Sequence, residues 1–110
     1  MEIATSRNGQ FNEIEFIGGD ELVNAWGGNA ASYLRNFFVN GVPESVGGEK
    51  VCVNLENIEY IDSDVYAALG TLTNMSQRFG YGKVRLKGVH GAVERLLDMD
   101  VENYRKFKFV

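Results

Sequence analysis

Between Val51 and Phe79 the apolar pattern changes period, and that change does most to limit what the chain can fold into. Val51-Cys52-Val53-Asn54-Leu55 is a short β-branched run with the look of a central strand. A polar turn at Glu56-Asn57 leads to Tyr60-Ile61 and then to Asp62. From there Val65, Ala68, Leu69, Leu72, Ser76 and Phe79 recur at helical spacing and mark an amphipathic helix. Gly80-Tyr81-Gly82 stops it, glycine supplying the left-handed cap.

The flanks continue the alternation of strand and helix. Ile3 to Ser6 and Phe11 to Ile17 lie either side of Asn8-Gly9, a hairpin signal because a type I′ turn needs positive φ. Ile14 and Phe16 alternate with Glu13 and Glu15, so one face of that strand is buried and the other wet. Gly18-Gly19-Asp20 ends it. A helix from Asn29 carries Ala30, Tyr33, Leu34, Phe37 and Phe38 on one stripe, and Asn40 to Lys50, with Gly41, Pro43, Gly47 and Gly48, is a loop. Lys83 to Lys87 alternates into a strand through Val84 and Leu86. His90-Gly91 precedes a short helix with Val93, Leu96 and Leu97 inward, and Phe107 and Phe109 alternate against Lys106 and Lys108 in a last strand. The order strand, strand, helix, strand, helix, strand, helix, strand predicts an α/β fold with a mixed, mainly parallel sheet of four to five strands, opening with a β-hairpin. The 110 residues fit one domain, 1–110.

Composition removes several classes. With 45% apolar and 24% charged residues the chain is too hydrophobic to be disordered, yet no apolar run is long enough for membrane insertion. Met1-Glu2-Ile3-Ala4 lacks the basic start and apolar stretch of a secretory signal. A lone Cys52 forms no internal disulfide and offers no metal-ligand spacing, so a cytoplasmic location without metal or cofactor is expected. Charge is uneven: residues 1–77 carry a balance of −8 and residues 78–110 a balance of +4, which together give −4. A net acidic chain without a dense Lys/Arg stripe is a poor nucleic-acid binder. The alternation of Lys83, Arg85 and Lys87 is how a solvated strand face looks, with a docking patch for an acidic partner as the other reading.

In such sheets binding sites gather at the carboxyl ends of the parallel strands. That rim collects Gly18-Gly19-Asp20, the turn Asp62-Ser63-Asp64 with Val65 behind it, and Val89-His90-Gly91. Asp62 is a good N-cap, and acids in the first turn gain about 0.3–1 kcal/mol each from the helix dipole. The same residues therefore serve equally to start a helix and to form a site.

The stretch from Val51 through Leu55, Glu56-Asn57, Tyr60-Ile61 and Asp62-Ser63 resembles the signature of the STAS domain family, which includes the bacterial anti-sigma factor antagonists and the cytoplasmic domains of sulfate transporters. Val84-Arg85-Leu86-Lys87-Gly88-Val89 and Ala92 to Met99 are similar to that family's next strand and short helix. The resemblance covers the second half well and the first half in element order only. It implies helices mainly on one face of the sheet, and a non-enzymatic module that regulates a protein partner. In the family that partner is an anti-sigma factor acting as a serine kinase, which phosphorylates the serine third in an Asp-Ser-Ser-Gly string and breaks the complex. Phosphate adds about −1.5 to −2 charge within a desolvated interface.

This sequence departs from the pattern where control resides. The third place holds Asp64 and the fourth Val65. Asp64 forms no stable phosphate ester, and Ser63 is the neighbour of the usual acceptor. Three readings stand open: a permanently phospho-like module, binding without phosphorylation control, or Ser63 as acceptor. The resemblance implies Asp62, Ser63, Asp64 and Val65 as partner-binding or regulatory residues, and the position of the rim adds Asp20 and His90. An alternative is a STAS subunit of a transport or scaffolding complex. The family also commonly adds a helix after the last strand, so Phe107 and Phe109 either pack under the preceding helix or leave an apolar patch for a homodimer.

Other signals are weaker. Gly18-Gly19-Asp20-Glu21-Leu22 is similar to the diguanylate cyclase signature, but too few residues precede it for that family's nucleotide and metal ligands. A phospho-receiver domain would use Asp20-Glu21 and Asp62, but the opening hairpin and the lack of a lysine at a strand end oppose it. His90 is the one histidine, with no nucleophile paired to it by sequence, and Cys52 reads as a buried apolar filler.

Overall fold

The computed structural model describes residues 2–23, 29–38, 50–99 and 102–110. β1 (Glu2–Asn8) and β2 (Phe11–Ile17) form an antiparallel hairpin. Its turn is not the expected Asn8-Gly9 pair. Asn8 pairs with Phe11, so the two linking residues are Gly9-Gln10, and only Gly9 has positive φ (64°). One glycine at the first central position is the type II′ pattern, whose twist suits a hairpin as well as type I′ does.

The main sheet has the order β1-β2-β4-β6-β7, where β4 is Lys50–Asn54, β6 is Val84–Lys87 and β7 is Phe107–Phe109. Every pairing after the hairpin is parallel. The sheet is thus mixed and mainly parallel, as the alternation predicts. The loop read over Asn40 to Lys50 lies, apart from Lys50 itself, outside the described residues.

Alternation along the strands fixes which face is covered. Ile14, Phe16, Val51, Val53, Val84, Leu86 and Phe107 are buried and belong to one core cluster. The same cluster takes in Ala30, Ala31 and Leu34 of α1 (Asn29–Asn36), Val65, Ala68, Leu69 and Leu72 of α2 (Ser63–Arg78), and Val93 and Leu97 of α3 (Gly91–Asp98). Helices therefore pack on one face. Two buried hydroxyls stitch α2 down: Thr73 Oγ1 donates to the Lys106 carbonyl (2.7 Å) and accepts from the Val84 N–H (3.1 Å), while Ser76 Oγ donates to the Gly82 carbonyl (2.7 Å).

Two local expectations need correction, and one open alternative is resolved. Helical spacing placed Phe79 in the core, but α2 ends at Arg78 and the ring turns outward, 43% exposed, against Phe38 and Tyr81. Lys106 is not in the last strand; it closes α4 (Glu102–Lys106), a short helix that the Lys106/Lys108 alternation concealed. Phe107 is buried and Phe109 partly so, packed against the core, and they do not form an open apolar patch.

A second sheet of two strands also escaped the sequence. β3 (Glu21–Leu22) runs parallel to β5 (Tyr60–Ile61), Glu21 opposite Tyr60 and Leu22 opposite Ile61. Each is two residues long, too short to show a period, and it positions the rim.

Candidate functional site

The turn Asp62-Ser63-Asp64 is held from two sides. The Asp62 N–H donates to the Leu22 carbonyl (3.0 Å), fastening the turn to β3. Its side chain then caps α2: with Asp62 in extended backbone (φ −91°, ψ 178°), Oδ1 accepts the Val65 N–H at 2.9 Å. Ser63 is exposed on the first helical residue.

Asp64 follows in the first turn, its side chain about half exposed. Arg35, from the last turn of α1, brings Nη2 to 4.0 Å from Asp64 Oδ1 and donates to the Asp64 carbonyl at 3.5 Å. Val65 is only 1% exposed, so its side chain lies in the core beneath the turn and is not part of the accessible surface.

Asp20 and His90 reach the same rim through the segment between β4 and β5. The Asp20 carbonyl accepts the Glu59 N–H (2.6 Å) and the Tyr60 N–H (3.4 Å), while the Asp20 side chain stays exposed. His90 precedes α3 at its N-cap position but does not cap it. Its Nε2–H donates to the Glu56 carbonyl at 2.7 Å, and Nδ1 lies 3.9 Å from Glu59 Oε2. Both ring nitrogens thus face this segment, and His90 works as a clasp between two loops. Lys87 adds an ion pair to Glu56 at 3.8 Å.

The result is an acidic ledge built from Asp20, Glu21, Glu56, Glu59, Asp62 and Asp64, with Ile17 and Tyr60 standing exposed beside it (44% and 46%). Sequence reading missed Arg35, Glu59 and the exposed Tyr60 as members. Arg35 stands 29 positions from Asp64, and no local signal reports how α1 packs on α2.

Cys52 lies elsewhere, on the sheet face away from the helices. Burial pushes its thiol pKa up, and the Glu13 carboxylate adds to that effect against Lys87 and Arg85. Among the described residues no group of three or more His, Cys, Asp or Glu side chains is arranged to hold a metal ion, and no helix is long and apolar enough to cross a membrane.

No family model and no curated protein matches the chain in sequence. Solved structures do match in shape. The crystal structure of a putative anti-sigma factor antagonist, TM1081 from Thermotoga maritima, superposes with a TM-score of 0.71 at 20% identity, over 97% of this chain and 84% of that one. An NMR structure of TM1081 gives 0.73 at 17% identity, over 100% and 81%. The anti-sigma factor antagonist SpoIIAA in its unphosphorylated form gives 0.60 at 11% identity, over 99% and 87%. The hairpin, the mainly parallel sheet and the helices on one face make this the STAS-like fold of the anti-sigma factor antagonists.

Proposed function

We propose that this chain is a non-enzymatic protein-binding module of the anti-sigma factor antagonist kind, which regulates its partner through the rim around Asp62, Ser63 and Asp64. The partner is an anti-sigma factor or a related serine kinase, met in the cytoplasm of a bacterium as part of transcriptional signalling. Binding runs without the serine phosphorylation switch. The observation that carries this reading is the pairing of Asp64 with Arg35. Where the resembling family has its acceptor hydroxyl, this chain has a carboxylate, and α1 supplies its counter-charge. A single carboxylate charge beside the Arg35 guanidinium repels a partner less than a phosphate of nearly twice the charge would. The acidic ledge also disfavours nucleic acid.

Affinity capture from native lysate with wild type, Asp64→Ser and Asp64→Lys tests it, followed by incubation of the complexes with ATP and mass spectrometry. Wild type should hold one partner stably in ATP, and D64K should lose it. D64S should bind and become ATP-sensitive, with phosphate at position 64. Identical capture by all three proteins overturns the role of Asp64. Phosphoserine at Ser63 of the wild type overturns the switch-free reading, and an acyl phosphate on Asp62 would favour a receiver.

A further inference from the structure

The sheet face turned away from the helices is divided by charge. Register and alternation place Glu2, Glu13 and Glu15 there from β1 and β2, and Lys50, Arg85, Lys87 and Lys108 from β4, β6 and β7. Among these strands the first half presents no base on this face and the second half no acid. Between the halves, β4 contributes uncharged Cys52 and Asn54, 6% and 8% exposed. A shallow groove of about 310 Å³ lies over Cys52, walled by Phe11, Glu13, Arg85, Lys87 and Val110.

Within one chain this segregation is only partly satisfied. Lys87 Nζ reaches across β4 to Glu13 at 3.7 Å, and the Arg85 guanidinium lies over the Phe11 ring at 4.2 Å. Mainly parallel sheets, moreover, usually have both faces covered. Here every helical residue of the core cluster belongs with the other face.

We propose that a second copy of this chain covers this face, in a two-fold symmetric dimer whose axis runs parallel to the strands over β4. The rows of the sheet decide the geometry. One row reads Ser6, Glu13, Cys52, Arg85, Lys108, and the next reads Ala4, Glu15, Asn54, Lys87. Rotation about that axis exchanges left and right and keeps height. Glu13 then meets the partner's Arg85, Glu15 meets the partner's Lys87, and Cys52 and Asn54 meet their own counterparts. Because the interface is isologous, each of those pairs occurs twice. An axis lying across the strands would set acid on acid and base on base, so the charge pattern selects the first and opposes the second. Face-to-face packing of five short strands buries on the order of 1,000 Å² over both copies, the small end of specific interfaces. The dimer is therefore weak and sensitive to salt. It covers Ile17, which lies on this face two residues beyond Glu15, but leaves the turn Asp62-Ser63-Asp64 outside the contact, and it does not rest on the function proposed above.

Sedimentation velocity on the purified chain tests this, from about 10 µM to about 1 mM at low and at raised ionic strength. The expected result is a monomer–dimer equilibrium at low salt that weakens at least tenfold at high salt. Glu13→Arg and Arg85→Glu should each abolish the dimer, and the double variant, which restores the pairs with signs exchanged, should recover it. Glu15→Gln, a change too small to disturb folding, should weaken association several-fold. A chain that stays monomeric throughout overturns the proposal. So does a dimer indifferent to E13R, R85E and E15Q, or a folded double variant that remains monomeric.

Discussion

Gly88 sits directly against the backbone of Glu56: a Cβ built on Gly88 would lie 2.9 Å from the Glu56 Cα and 2.2 Å from its Cγ. This approach closes the loop after β6 onto the segment after β4. There the Leu55 N–H donates to the Lys87 carbonyl at 2.8 Å, and His90 reaches the Glu56 carbonyl. The rim depends on it, because the 56–59 segment also carries the bonds to Asp20.

Gly88→Ala should therefore destabilise the fold by two effects at once. Gly88 has φ +72°, a left-handed conformation that costs an L-residue about 1 kcal/mol. The clash with Glu56 Cα adds to this, since a backbone atom cannot swing aside as a side chain can; about 3 kcal/mol in all is expected. Gly80→Ala is the control, with φ +83° but open space at its Cβ, and should lose only about 1 kcal/mol. Urea unfolding of the two variants measures the difference. Equal losses would mean the Glu56 backbone gives way.

Asp62→Ala should cost about 1 kcal/mol, the usual loss when a capping carboxylate is removed, because the Val65 N–H then has no side-chain acceptor. Asp62→Asn keeps an acceptor oxygen and should lose less. Denaturant midpoints at constant slope check this. A neutral Asp62→Ala would show that α2 is fixed by its packing alone.

What could be read in advance follows from range. The Asp62 cap is local, three residues from its donor, and the change of period at that point marks both strand and helix. Phe79 fell on the helical stripe and was misplaced because the helix stops one residue before it. Two-residue β3 and β5 exist only through each other, and nothing in either sequence announces a partner 39 positions away in the register Glu21 to Tyr60. The Arg35–Asp64 pair and the Gly88–Glu56 contact are likewise products of packing. Sequence thus located the turn, and structure supplied its surroundings.

Two buried polar residues should respond in opposite directions. Thr73→Val removes the hydroxyl that serves both the Lys106 carbonyl and the Val84 N–H, and should cost about 2 to 4 kcal/mol by leaving buried groups unpaired. Asn12 is 1% exposed on the core face of β2, and neither amide atom of its side chain has a hydrogen-bond partner. Asn12→Val should therefore stabilise by about 1 kcal/mol, since it removes an unsatisfied buried amide from a strand. Thermal or urea unfolding of both variants decides. A destabilised Asn12→Val would reveal a partner that Asn12 finds in solution.

Cys52 gives a prediction in pH. Burial, then the Glu13 carboxylate, holds its thiol pKa above the ordinary 9.0. The folded chain therefore keeps the thiol proton at a pH where the unfolded chain has begun to lose it. The stabilisation is fully present below the ordinary thiol value and is lost as pH rises through it toward the folded one, with a slope of at most about 1.4 kcal/mol per pH unit. Wild-type stability should fall more steeply above pH 9.0 than that of Cys52→Ala, and the two curves should run parallel below it. Alkylation of native Cys52 near neutral pH should also be at least about tenfold slower than that of an unhindered cysteine, because the thiolate is the reacting form and the side chain is covered. Parallel stability curves at all pH values, together with fast alkylation, would place the thiol in water instead of under Phe11 and Arg85.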